Sequence, residues 1–185
     1  TSAFYGCFGL AAIDIPENVT TIKEDAFDGC SSLKSVEIPA SITSIETNTF
    51  YGCSSMETVT IAYGIDSIHN SAFRNCKSLK NVRIPNSVAF IGQSAFENCS
   101  GLESVEMSDG MTVLQPYTFR NCTNLASVNI GAATDTIKSF AFEGCSSLAH
   151  IDIPDNVAFM EENAFLSCYD LATVEIGAGV DSISE

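Results

Sequence analysis

Phenylalanine returns every 23 residues along this chain, at Phe4, Phe27, Phe50, Phe73, Phe96, Phe119, Phe142 and Phe165. Three residues after each stands a cysteine: Cys7, Cys30, Cys53, Cys76, Cys99, Cys122, Cys145 and Cys168. No insertion breaks the period. A fixed period of this length marks a solenoid, because one repeat cannot bury its own apolar face and needs its neighbour to cover it. The core then grows along one axis, and residues 1–185 read as a single continuous domain with no linker. The chain starts and stops inside a repeat, so the expectation is a piece of a longer protein whose polar end caps lie outside it.

The rest of each repeat follows a common template, shown in the second copy as Leu33-x-x-Val36-x-Ile38-Pro39-x-x-Ile42-x-x-Ile45, then Thr49-Phe50 and Cys53. The Val place holds only Val or Ile in all eight copies: Ile13, Val36, Val59, Val82, Val105, Val128, Ile151 and Val174. Such restriction is what a packed interior of fixed volume demands. Val-x-Ile alternates with period two and is β-branched, which predicts one short strand per repeat. Stacked copies would run parallel, about 4.8 Å apart. Pro16, Pro39, Pro85 and Pro154 end their strands, since proline has no N–H to give a ladder. The Ala-Phe-x-x-Cys segment predicts a helical turn on the far side. Gly6, Gly29, Gly52 and Gly144, with Asn75, Asn98 and Asn121, precede cysteines and suit a turn with positive φ.

These residues resemble the Treponema-type, or BspA-like, leucine-rich repeats. Leu-x-x-Val-x-Ile is the leucine-rich signature in variant form, and Ile-Pro, Ile-x-x-Ile and Ala-Phe-x-x-Cys complete the likeness over nearly the whole chain. The resemblance implies a horseshoe of about eight repeats with its parallel strands lining the concave face. One departure stands out. The asparagine ladder of commoner leucine-rich repeats is missing, its places reading Asn18, Ser41, Gly64, Ser87, Gly110, Ala133, Asn156 and Gly179.

Composition narrows the function. With 23 Asp+Glu against 8 Lys+Arg, the net charge is −15. Binding to nucleic acid needs clustered cations to neutralise phosphates, and anionic membrane surfaces need the same. Both are excluded as expected partners. No apolar run approaches the roughly 18 residues needed to span a bilayer. The acidity serves solubility, or attraction to a partner bearing cations.

The ladder columns carry little chemistry. The cysteines lack any Cys-x-x-Cys spacing, so no metal site is expected of them. Adjacent rungs hold their thiols too far apart to bridge, so eight free thiols acting as small hydrophobes are expected. The phenylalanines stack as core. His69 follows an Ile-x-x-Ile pair and His150 flanks a strand; neither position implies a nucleophile–base pair. No phosphate-cradling loop or zinc-protease motif occurs. The expectation is therefore no enzyme, no cofactor and no metal. Carboxylates one rung apart could share a divalent ion, but the hydroxyls beside them do not complete a calcium cage. Three sequons, beginning at Asn18, Asn98 and Asn121, read as turn chemistry unless the chain passes through a eukaryotic secretory route.

A partner would meet the strand face. Alternation turns outward the residue between Val and Ile, giving the column Asp14, Glu37, Thr60, Arg83, Glu106, Asn129, Asp152 and Glu175. The column before it is mostly hydroxyl and amide, and neither contains an aromatic residue, so no apolar hot spot is expected there. Two readings stand: a polar strip for a partner with basic groups, or a solvated sheet face with no ligand. Arg83 and Asn129 break the acidic column. The resemblance implies a surface-exposed or secreted adhesin that contacts extracellular-matrix glycoproteins or other cell-surface proteins. The alternatives are a spacer that binds nothing and an intracellular scaffold. Exposed terminal rungs would also allow end-to-end self-association.

Overall fold

The computed structural model describes residues 2–181. From the second repeat on, the chain makes short strands of two kinds, one from Val-x-Ile and one from the second Ile of Ile-x-x-Ile. The first kind comprises β1 (Ser35–Ile38), β3 (Thr58–Ile61), β5 (Asn81–Arg83), β7 (Ser104–Glu106), β9 (Ser127–Asn129), β11 (His150–Ile153) and β13 (Thr173–Ile176). The second comprises β2 (Ser44–Ile45), β4 (Ser67–Ile68), β6 (Phe90–Ile91), β8 (Val113–Leu114), β10 (Thr136–Ile137) and β12 (Phe159–Met160). All pairing is parallel. The register advances by 23 residues, with Val36 beside Val59 and Ile38 beside Ile61. The strands form a five-stranded sheet, β1-β3-β5-β7-β9, and a two-stranded one, β11-β13. They also form two three-stranded sheets, β2-β4-β6 and β8-β10-β12.

The chain is thus a parallel β-solenoid. Proline acts as expected: β1 ends at Ile38 before Pro39, and β11 at Ile153 before Pro154. Where Ala62 replaces proline, its N–H donates to Ile38 O at 3.2 Å and carries the ladder one bond further. One strand predicted from sequence is missing. Ile13-Asp14-Ile15 has the right alternation but forms no strand, although Lys34 N–H reaches Ala11 O at 3.2 Å. Leu10, Ile13 and Ile15 are only partly buried, so less packing holds this stretch flat against β1.

The interior is a stack of columns. The eight phenylalanine rings lie nearly parallel, with successive centroids 5.2–5.6 Å apart. Five of them, Phe50 through Phe142, are fully buried. The cysteines are free, and Cys30 through Cys145 are buried beside them. Each thiol from Cys30 onward also donates to the carbonyl of a phenylalanine 26 residues earlier: Cys99 Sγ lies 3.1 Å from Phe73 O, and Cys122 Sγ 3.2 Å from Phe96 O. A thiol fills the space of a small hydrophobe while satisfying a carbonyl that points into the core. Burial raises the thiol pKa, to about 12 at Cys53 and Cys99 and to about 11 at Cys168.

The predicted helical turn is not a helix. Two residues in every rung have positive φ, for example Asp25 (φ 56°) and Gly29 (φ 74°), and a left-handed residue interrupts a right-handed helix. The amides then alternate. Ala26 and Cys30 N–H groups close turns on Lys23 O (3.2 Å) and Phe27 O (3.1 Å). Phe27 and Gly29 N–H groups cross to the next rung, at Thr49 O (2.9 Å) and Tyr51 O (2.8 Å). The turn side therefore builds its own inter-rung ladder, satisfying backbone groups that would otherwise be orphaned. The residues preceding the cysteines take positive φ as expected. Among them Asn75, Asn98 and Asn121 form a side-chain ladder, each amide bonding the previous one at 3.0 Å. Two sequon asparagines thus serve turn geometry. The other left-handed column contains Tyr117 and Phe140, residues for which this conformation is strained. Their rings stack at 5.2 Å, and the Arg120 guanidinium lies 5.3 Å from the Tyr117 ring centroid.

Arg120 also joins an alternating ion column on the same turns. Arg74 Nε lies 3.2 Å from Glu97 Oε2, and Arg120 Nε lies 2.7 Å from Glu143 Oε2. Glu97 is buried, so its charge is tolerated because cations flank it on both sides, Arg120 Nη1 at 3.9 Å being the second.

Candidate functional site on the outer sheet face

All eight predicted face residues, Asp14, Glu37, Thr60, Arg83, Glu106, Asn129, Asp152 and Glu175, are exposed. Their neighbours in the strands point inward: Val36 and Ile38 on β1 are buried, while Ser35 and Glu37 are not. The structure divides the column into three. Glu37, Thr60, Arg83, Glu106 and Asn129 lie on the five-stranded sheet; Asp152 and Glu175 lie on β11 and β13; Asp14 lies outside any strand.

Four of them line one groove of about 630 Å³: Thr60, Arg83, Glu106 and Asn129. Arg83 pairs in register with Glu106, which pairs with Asn129. Arg83 Nε sits 3.4 Å from Glu106 Oε2, with both side chains mostly in water. An exposed pair of this kind adds little to stability. It leaves a guanidinium and a carboxylate side by side and available to a ligand.

The groove also contains an aromatic residue that the two strand columns lack. Tyr63 stands at its edge, 76% exposed. It follows Ala62, the residue that extends the β3 ladder in place of proline, and precedes Gly64, whose φ of 113° turns the chain away. Asn86 and Asp109 continue the edge in the same repeat position. Asn86 Nδ2 donates to Asp109 Oδ2 at 3.2 Å, and the Asp109 N–H returns a bond to Asn86 Oδ1 at 3.2 Å. Asp109 Oδ1 also accepts the Ala132 N–H at 3.3 Å. These bonds fix the polar edge, so a ligand would meet preorganised acceptors and one flat aromatic surface. The signal for these three residues was periodic too. Counting 23 back and forth from Tyr63 gives Glu17, Ala40, Asn86, Asp109, Ala132, Asp155 and Ala178. That column lies past the strand end, where alternation no longer says which way a side chain points.

The missing-asparagine column is partly rebuilt by serine. Ser41 Oγ donates to Val19 O at 2.7 Å and Ser87 Oγ to Ile65 O at 2.8 Å. Ser87 Oγ further accepts the Gly64 N–H at 3.0 Å, pinning the loop beside Tyr63.

A second polar group gathers on the two-stranded sheet. His150 and Asp152 occupy alternate positions of β11, and Glu175 pairs in register with Asp152. His150 Nε2 lies 2.8 Å from Asp152 Oδ1. Among the described residues no helix is long and apolar enough to cross a membrane.

The sequence profile of the BspA type leucine-rich repeat region matches six copies, over residues 1–126 and 66–185. The chain belongs to the BspA-type leucine-rich-repeat family. Solved relatives agree. A leucine-rich repeat protein of Bacteroides ovatus is 29% identical, with a TM-score of 0.82 over 97% of this chain and 56% of its own. The T. pallidum leucine-rich repeat protein is 30% identical, with a TM-score of 0.82 over 87% of this chain and 78% of its own. A leucine-rich cell surface protein of Faecalibacterium prausnitzii is 28% identical, with a TM-score of 0.64 over 95% of this chain and 62% of its own. The chain thus spans 56–62% of the length of the B. ovatus and F. prausnitzii proteins. No curated protein matches it. Membership of this family makes the chain a leucine-rich-repeat domain built of stacked rungs.

Proposed function

We propose that the chain is a non-enzymatic, adhesin-type binding module of the cell surface, and that its partner docks in the groove of the five-stranded sheet. One observation carries the reading. The groove gathers three departures from the repeat: Tyr63, Arg83 and Asn129 replace smaller or acidic residues of their columns. The tyrosine offers large amphipathic contact with few rotatable bonds, and tyrosine and arginine are both enriched among the residues that carry binding energy at protein interfaces. The flanking Glu106 and Asp109 would accept basic groups of the partner. The F. prausnitzii relative is a cell surface protein, which supports the cell-surface setting.

The test is binding of the purified domain to immobilised matrix glycoproteins. The double variant Tyr63→Ala, Arg83→Glu is expected to bind at least about tenfold more weakly, as hot-spot truncations do. Glu37→Lys, on the same sheet but outside the groove, should change affinity little. Equal loss in both variants would place the contact along the whole acidic strip. No binding by the unaltered domain would support the spacer reading instead.

A further inference from the structure

We propose that His150, Asp152 and Glu175 form a binding site for a transition-metal dication of the zinc class on the outer face of β11 and β13. One ligand atom from each residue lies within 4.8 Å of the other two. The convergence follows from the backbone. His150 and Asp152 are two apart on a strand and therefore share a face; Glu175 is brought level with Asp152 by the 23-residue register.

The chemistry of the donors selects the ion. Imidazole and carboxylate are both zinc ligands, with bonds of about 2.0–2.2 Å, and three of them leave one tetrahedral position for water or a partner's group. Calcium takes six to eight oxygens and has no use for an imidazole nitrogen. The second ring nitrogen is already engaged: His150 Nδ1 lies 2.7 Å from Thr173 Oγ1. A partner on the remote nitrogen fixes the ring's orientation and directs Nε2 toward the carboxylates, as the outer shell of a metal site does. Nε2 now faces Asp152 Oδ1 at 2.8 Å, and an ion entering between them would replace that bond with two coordinate bonds. All three side chains are exposed, so the opening needs no core rearrangement. None of the three residues lines the groove, though Asp152 lies one rung beyond Asn129 at its end. An ion with an open position here would give the module a second, metal-dependent contact.

The test is a titration of the whole chain with zinc ion alone, in a Cys7→Ser background that removes the exposed thiol. One ion per chain is expected. His150→Ala should abolish binding, Glu175→Gln should weaken it at least tenfold, and Thr173→Val should weaken it by about tenfold through the lost ring partner. His69→Ala, which alters the other histidine, should leave it unchanged. Calcium at the same concentration should not compete. Because Cys7, His150, Thr173 and Glu175 are exposed and His69 is only half-buried, circular dichroism should show each variant folded. Absence of stoichiometric zinc binding, binding undiminished by His150→Ala, or equal competition by calcium would overturn the proposal.

Discussion

Phe96→Ala is expected to destabilise the chain by about 3–5 kcal/mol, near the top of the range for large-to-small core substitutions. The ring is fully buried, with Phe73 and Phe119 stacked on its two faces at 5.3 and 5.6 Å. Those neighbours cannot close the gap, because their own backbones are tied to adjacent rungs. Phe96 N–H donates to Thr118 O at 2.9 Å and Phe73 N–H to Ala95 O at 2.8 Å. The hydrogen-bond ladder therefore holds the rungs apart while the cavity stays open. In a linear array the damage is local to one interface, so unfolding should also lose cooperativity, one side of the break melting before the other. Phe4→Ala provides the comparison, since that ring is 39% exposed and has a ring partner only at Phe27. Denaturant melts of the two variants should differ by more than a factor of two in lost stability. Equal losses would mean that the ladder is not a packed core.

The thiol column predicts a second large effect, loss of stability in alkali. Folding holds the buried thiols neutral, with pKa values raised from an ordinary 9.0 to about 12 at Cys53 and Cys99 by loss of water. Below pH 9 both folded and unfolded chains keep these protons, so nothing is lost. Above pH 9 the unfolded chain releases them and the folded chain does not, which favours unfolding. Each such thiol costs about 1.4 kcal/mol per pH unit until the folded pKa is reached. Cys53 and Cys99 alone then remove about 3 kcal/mol per unit between pH 9 and 12, and Cys76, Cys122 and Cys145 shift in the same direction. The melting temperature should fall steeply across this window, and Cys99→Ala should reduce the slope by one thiol's share. A flat melting temperature between pH 8 and 11 would contradict the burial of the column.

The parts of this fold that the sequence reveals are those where one residue type solves one packing problem in every rung. Phenylalanine, cysteine and the Val-x-Ile pair face a constant environment, so their columns stay nearly uniform and can be read by counting. The inter-rung ladder on the turn side has no such uniformity. Its first left-handed column reads Ser2, Asp25, Asn48, Ser71, Ser94, Tyr117, Phe140 and Asn163, because the backbone conformation is what repeats and many side chains survive it. A helix-like apolar spacing at Ala-Phe-x-x-Cys therefore predicts a helical turn where consecutive left-handed breaks build a strand-like ladder instead. The thiol donation to phenylalanine carbonyls was hidden for another reason: packing alone already accounts for a small residue at that place.

The candidate sites were half legible. Alternation identified Thr60, Arg83, Glu106 and Asn129, and the groove unites them. Tyr63, Asn86 and Asp109 lie beyond the strand ends, where direction depends on how each turn closes, and a missing proline decided that for Tyr63. The His150, Asp152 and Glu175 group needed two periods combined, two residues along a strand and 23 across the sheet.

Native thiol counting tests the stacking of the rungs most directly. The folded chain, treated with a thiol reagent at neutral pH without reductant, should show one thiol reacting at once, Cys7, and one reacting slowly, Cys168. The six buried thiols, Cys30, Cys53, Cys76, Cys99, Cys122 and Cys145, should react only after denaturation, and mass mapping should find no bridge between rungs. Prompt reaction of several central thiols, or disulfides linking neighbouring rungs, would contradict a solenoid whose every rung seals the one before it.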